Sequence, residues 1–292
     1  MRLWTRLITL LVGCLTASSA FAVVPSDKYS ALPGSTGLAF RAVSFPATRD
    51  GTDLTGWWFE GRPEQPVIVL FGRGHGSMAD LLPVVSGFAS YGFTIMTFDY
   101  RDFGPAGPGA ADSLAQLLFA SRWVNDGEGA LRYAREQAKD RPLFGWGQDL
   151  GSATLLAAAG RGKSNVDAIA IEGVFRTLAE LLRSSGLSQV SDVPERHRFV
   201  VETSDEPSTA MSGLVVPMHV VIAQKDDVTQ PAVTQDVTRR SLSRIDRWIL
   251  PDAGHDGVEK REDYFPRMAA WYQRIAGMMR AAAAAPAAAT AK

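Results

Sequence analysis

The chain has 292 residues, 46% of them hydrophobic and 21% charged, the balance of a globular protein with a sizeable core. A formal net charge of -1 offers no basic field for phosphate backbones, so nucleic acid is not an expected partner. A single cysteine, Cys14, excludes an internal disulfide and a Cys-based metal site.

In chain order, the first segment reads as an export signal. Met1-Arg2-Leu3-Trp4-Thr5-Arg6 is a short basic region, residues 7–15 are apolar, and Ala20-Phe21-Ala22 is a small-x-small cleavage site. Residues 1–22 are expected to be removed before Val23, giving an exported protein, periplasmic or secreted. Leu11-Val12-Gly13-Cys14 also reads as a lipobox, and lipidation at Cys14 is the one expected route to a membrane. Residues 23–36, rich in Pro, Ser, Gly and Ala, read as a flexible leader.

Two apolar-rich runs, 38–46 and 53–60, flank Arg49-Asp50-Gly51-Thr52, a hairpin signal. Residues 66–71 form a continuous apolar run, as expected of a strand buried on both faces. The glycine loop Gly72-Arg73-Gly74-His75-Gly76 follows, then a helical pattern over 77–90. Strands predicted at 93–99, 143–147, 167–171, 218–223 and 247–250 alternate with helices at 123–139, 150–160, 232–241 and 262–280. This alternation predicts an α/β fold with a mostly parallel central sheet and helices on both faces. One domain is expected over 37–280, with a small lid segment at about 176–215 that includes a lid helix over 178–187. Residues 281–292 read as a disordered Ala-rich tail.

Reactive groups in such sheets gather at the carboxyl ends of the strands. Gly147-Gln148-Asp149-Leu150-Gly151 follows one predicted strand and has the shape of a nucleophile elbow, a tight turn that exposes its central side chain. Asp226, in Gln224-Lys225-Asp226-Asp227-Val228, follows the next-to-last strand, and His255, in Gly254-His255-Asp256-Gly257, follows the last. The order nucleophile, acid, histidine is that of a hydrolytic triad on a parallel sheet. Asp227 is the alternative acid. Ser152 lies one turn into the following helix and reads as a packing residue. Arg73 reads either as a holder of an anionic substrate or as a solvated loop charge. His197 and His219 lack acidic partners at ligand spacing, so neither a metal nor another cofactor is expected.

Over about residues 38–276 the chain resembles the α/β-hydrolase superfamily, in particular its Bem46-like, serine-aminopeptidase-like type. The resemblance is carried by Asp50-Gly51 with Leu54-Thr55-Gly56-Trp57, by the loop Gly72 to Gly76, and by Phe98-Asp99-Tyr100-Arg101-Asp102-Phe103-Gly104. The elbow, Lys225-Asp226-Asp227-Val228 and Gly254-His255 complete it. It implies an α/β-hydrolase fold, a small-molecule substrate and an Asp149-Asp226-His255 triad. It also places the Leu150 N–H and the loop Gly72-Arg73-Gly74 around an oxyanion pocket.

In that family type the elbow residue is Ser, whereas here it is Asp149. A carboxylate is suited to displacement at an sp³ carbon, giving an alkyl ester that a His-activated water then hydrolyses. Elbows of the form G-x-D-x-G resemble those of epoxide hydrolases and haloalkane dehalogenases. Leu150, however, stands where dehalogenases place Trp, and residues 176–215 contain no Tyr. The expected function is covalent hydrolysis of a small organic substrate. The alternative is a hydrolase-fold binding protein in which Asp149 replaces a lost Ser nucleophile.

Overall fold

A strand that is apolar at every position needs cover on both faces, and Val67–Phe71 (β4) shows how this chain supplies it. Val67, Val69 and Phe71 enter one apolar cluster, while Ile68 and Leu70 enter another. The structure, a computed structural model, describes residues 24–101, 103–105, 120–161, 166–177, 180 and 202–284.

Around β4 lie β2 (Phe40–Pro46), β3 (Asp53–Phe59), β6 (Thr94–Phe98), β7 (Leu143–Gln148), β8 (Ala168–Glu172), β9 (Met218–Ala223) and β10 (Ile245–Leu250). They form an eight-stranded sheet in the order β10-β9-β8-β7-β4-β6-β3-β2. The β2–β3 and β3–β6 pairs are antiparallel and the other five are parallel. Two short strands, β1 (Val24–Pro25) and β5 (His75–Gly76), pair separately.

The helices are α1 (Leu82–Ala89), α2 (Ala120–Ala138), α3 (Leu150–Gly160), α4 (Pro207–Gly213), α5 (Pro231–Arg239) and α6 (Tyr264–Ala284). Side chains of α2, α3, α4 and α5 fill the first cluster, and those of α1 and α6 fill the second, so both sheet faces are covered. Buried Trp123, Leu131, Leu155 and Met211 stand on one side; Phe88, Met268 and Tyr272 stand on the other. No helix among the described residues is long and apolar enough to cross a membrane.

The expected elements appear with ends shifted by a few residues. The helical pattern at 77–90 divides into a 3₁₀ turn, Met78–Leu81, and α1. A reciprocal Ser77–Asp80 capping box starts the turn, and Pro83 sits in the first turn of α1, where a missing N–H costs nothing. The last strand begins two residues earlier than expected, at Ile245, and β8 extends by one to Glu172. Residues 281–284 of the expected tail continue α6, as the helix propensity of alanine favours. The expected signal (1–22, with Cys14), nearly all of the lid helix at 178–187, and the remainder of the tail lie outside the described residues.

The leader, read from its composition as flexible, carries several contacts. β1 runs parallel to β5, with Val24 opposite His75 and Pro25 opposite Gly76. The Ser26 N–H donates to the Gly76 carbonyl at 2.8 Å. Tyr29 donates its hydroxyl to Asp99 at 3.0 Å and packs edge-on against Trp57. The β1–β5 pairing and the Ser26 bond join the leader to the loop that follows β4, and Tyr29 ties it to β3 and the end of β6.

Candidate active site

The β7–α3 connection has Asp149 at its tip, with φ 53° and ψ -111°. Such a conformation costs a non-glycine residue about 1–3 kcal/mol. Close packing on every side holds it there. A Cβ on Gly147 would lie 2.5 Å from the Gly151 carbonyl oxygen, and one on Gly151 would lie 2.1 Å from that of Phe71. The two motif glycines are thus required by close backbone approach. The Asp149 N–H donates to the Glu172 carbonyl at 3.1 Å, and the Asp149 carbonyl accepts from the Ala153 N–H at 3.1 Å. One bond fastens the turn to β8 and the other starts α3.

The loops after β9 and β10 are tied together by the Lys225 N–H, which donates to the Ala253 carbonyl at 2.8 Å. His255 Nδ1 lies 3.1 Å from each Asp226 carboxyl oxygen, and Nε2 lies 3.2 Å from Asp149 Oδ2. Carboxylates accept and do not donate, so both ring nitrogens carry protons and the ring is an imidazolium. Burial opposes that charge, but the hydrogen bonds and charges of Asp149 and Asp226 outweigh it and raise the pKa from 6.5 to about 10. Asp226 is itself held in place. Its Oδ1 accepts the N–H groups of Val228 and Thr229 at 2.9 and 2.8 Å, and its Oδ2 accepts the Thr229 hydroxyl at 2.5 Å. Burial works against the Asp226 charge, yet His255 and Thr229 keep its pKa below the usual carboxylate value. Asp227 is exposed, so Asp226 is the acid that faces His255.

Arg73 reaches into the same cluster. Its Nε donates to Asp149 Oδ2 at 3.2 Å, its Nη1 donates to Asp256 at 3.1 Å, and its Nη2 lies 3.5 Å from His255 Nε2. With its side chain 16% exposed, it is not a solvated loop charge. Two cations therefore converge on Oδ2 of Asp149, while Oδ1 accepts no hydrogen bond among the described residues and faces Gly173. A Cβ on Gly74 would lie 2.9 Å from Leu150 Cβ, so the loop through Gly72, Arg73 and Gly74 packs onto the start of α3. The four residues expected around an oxyanion pocket thus meet at the elbow.

Other residues singled out in the sequence brace this arrangement. Ser152 is buried and donates to the carbonyls of Gly147 and Glu172 at 2.8 and 2.9 Å. Trp146 donates its indole N–H to the Tyr264 hydroxyl at 2.8 Å, beneath the turn. Asp99 accepts the Met78 N–H at 2.7 Å. His219 is buried between Trp248 and Trp271, while His197 and Asp102 lie outside the described residues. Among the described residues no group of three or more His, Cys, Asp or Glu has the arrangement of a metal site.

Three participants were not singled out from the sequence: Thr229, Asp256 and Glu172. Thr229 and Asp256 could have been found by proximity, three residues beyond Asp226 and one beyond His255. Glu172 had a different signal, a carboxylate ending the otherwise apolar strand Ala168–Glu172.

No family model matches the chain. Among curated proteins it is similar to YfhR, an uncharacterized protein of Escherichia coli, in strains O157:H7 and K12. The identity is 29% over 169 residues, covering 55% of this chain and 55% of YfhR, so the match spans about half the length of these relatives. Among solved structures it resembles the Pyrococcus furiosus esterase Pf2001, with a TM-score of 0.63 and 16% identity over 88% of this chain and 98% of that one. It also resembles the acetyl xylan esterase of Paenibacillus sp. R4, with a TM-score of 0.60 and 18% identity over 80% and 84% of the two chains. At such identities the likeness establishes the fold, which is the α/β-hydrolase fold.

Proposed function

We propose that this chain is a hydrolase in which Asp149 is the nucleophile and His255, held by Asp226, activates water. The observation that carries the reading is the elbow itself: a carboxylate on a strained turn, 3.2 Å from an imidazole whose other nitrogen is fixed by a second carboxylate. In the first step Asp149 Oδ1 attacks an sp³ carbon and forms a C–O bond. The bond to a halide or epoxide oxygen breaks: a halide departs with the electron pair, whereas an epoxide oxygen keeps it as an attached alkoxide that takes a proton from water. Negative charge passes from Asp149 to the leaving atom in this step, and the neighbouring Arg73 guanidinium offsets it.

The second step follows from electrostatics. While Asp149 is ionised, two carboxylates hold the proton on His255 and the ring is no base. Esterification removes one of those charges, so the ring loses its proton to solvent and Nε2 becomes a base. Water then adds to the Asp149 carbonyl carbon and passes its proton to Nε2. The tetrahedral intermediate collapses, the alkoxide takes that proton, and alcohol and free Asp149 result. A site built this way changes from acid to base only after substrate is attached.

One observation favours a second reading, in which the protein binds a ligand without turnover. Asp149 Oδ2 is paired with both Arg73 and His255, which makes a closed charge network around the carboxylate. Intact-protein mass spectrometry separates the two. His255→Gln protein incubated with pooled epoxides and alkyl halides is expected to accumulate an adduct that maps to Asp149. No adduct across a broad pool, together with no esterase turnover by the unmodified protein, selects the binding role.

A further inference from the structure

Glu172 ends β8 directly opposite Gln148, one residue before the elbow tip. Its side chain is 3% exposed, and neither carboxyl oxygen has a hydrogen-bond partner among the described residues. A buried carboxyl left in this way costs free energy, and a chain that retains one gives that cost a use elsewhere. The nearest indole N–H, that of Trp146, is committed to Tyr264. Glu259, in the turn after the His255 loop, has a buried oxygen that is likewise without a partner. Burial first, then the nearby charge of Glu259, push the Glu172 pKa well above the usual carboxylate range.

The surroundings show what this carboxyl faces. Glu172, Asp149, Gly173, Asp226, Thr229 and His255 line one cavity, which offers about 10 Å³ to the centre of a water molecule. A single water needs roughly that much room and two to four polar partners. The cavity has room for one water and is bounded by both the nucleophile and the base.

We infer that Glu172 is a water-positioning residue, seating in this cavity the water that hydrolyses the Asp149 ester. This rests on the nucleophilic reading of Asp149. One O–H of the water points to His255 Nε2 and the other to the side-chain carbonyl oxygen of Glu172, which turns a lone pair toward the side-chain carbonyl carbon of Asp149. On attack the proton on the Nε2 side passes to His255, while Glu172 neither gains nor loses one. A neutral amide, which also presents a carbonyl oxygen, fills the same role.

The test uses the full mature chain with the alkylating substrate found by the His255→Gln trap. Glu172→Met is matched in size and apolar, and Glu172→Gln keeps the carbonyl oxygen. In single-turnover experiments Glu172→Met is expected to alkylate Asp149 within about threefold of the parent rate. It should hydrolyse the ester about 10²-fold more slowly, so that the adduct accumulates with His255 intact. Glu172→Gln should hydrolyse within a few-fold of the parent. Thermal unfolding gives a second readout: removing a partnerless buried carboxyl should raise the Tm of Glu172→Met by about 2–4 °C. A merely structural residue would lower it. If Glu172→Met clears its ester at the parent rate, or loses alkylation and hydrolysis together, the inference is overturned while the role of Asp149 stands. If the His255→Gln protein never forms an adduct, the nucleophilic reading itself falls.

Discussion

At the residue scale the site is governed by how many carboxylates face His255. Removing one by Asp149→Asn should lower the pKa of the ring from about 10 toward 6.5, as followed by NMR titration of its Cε1–H resonance. Because the folded pKa lies above the free value of 6.5, this pairing stabilises the fold fully below about pH 6.5. The contribution is lost as the pH rises through 10. The urea midpoint should therefore fall between pH 7 and pH 10.5 in the parent, and the fall should be shallower in Asp149→Asn. A parent curve flat across that window would remove the imidazolium from the account.

Asp149, Asp226 and His255 were legible in the sequence because each sits in a short loop that ends a predicted strand, where topology alone sets its place. Arg73 was visible as a residue but not as a contact, since a long side chain can turn outward or inward from the same backbone. Glu172 went unnoticed because a lone carboxylate at a strand end is ordinarily solvated, and only the packed structure shows that no solvent reaches it.

Among the elements, the glycines make the sharpest claims. Gly151→Ala would drive a methyl group into the Phe71 carbonyl and should destabilise the fold by about 2–3 kcal/mol or displace the elbow. Gly277, within α6, has nothing within 4 Å of where its Cβ would be. Gly277→Ala should therefore stabilise by about 0.5–1 kcal/mol through helix propensity alone. Chemical denaturation of the two variants is the check, and equal effects would contradict the packing described here. Strands β4, β7, β8 and β9 were readable because fully buried strands appear as nearly continuous apolar runs. β1 and β5 were not, since a two-residue pairing leaves no period to detect. The helix α4 was hidden for a related reason: at seven residues it is too short for its apolar stripe to repeat.

Across the whole molecule, buried arginines join parts distant in sequence. Arg101, after β6, bonds Asp126 on α2 at 2.6 Å and Asp50 in the β2–β3 turn at 2.6 Å, and Asp126 is fully buried. Arg101→Leu deprives that carboxylate of its cation and should cost about 3–5 kcal/mol. Adding Asp126→Asn should recover part of the loss in the same unfolding assay, whereas additive losses would contradict the pairing. Arg161 makes a comparable tie to Asp205 and Glu128. We further propose that the chain is exported. Intact mass of protein from the envelope fraction should then show a mature chain beginning at Val23.

The pairing of β1 with β5 has a practical corollary. Val24 and Pro25 are anchored to the loop whose other end carries Arg73, so a purification handle or surface tether attached ahead of them would strain the cluster around Asp149. The same handle appended beyond α6 would exert no such pull. Comparative assays of the two formats would report on the leader's grip: identical turnover from both would mean that β1 carries no tension to the loop.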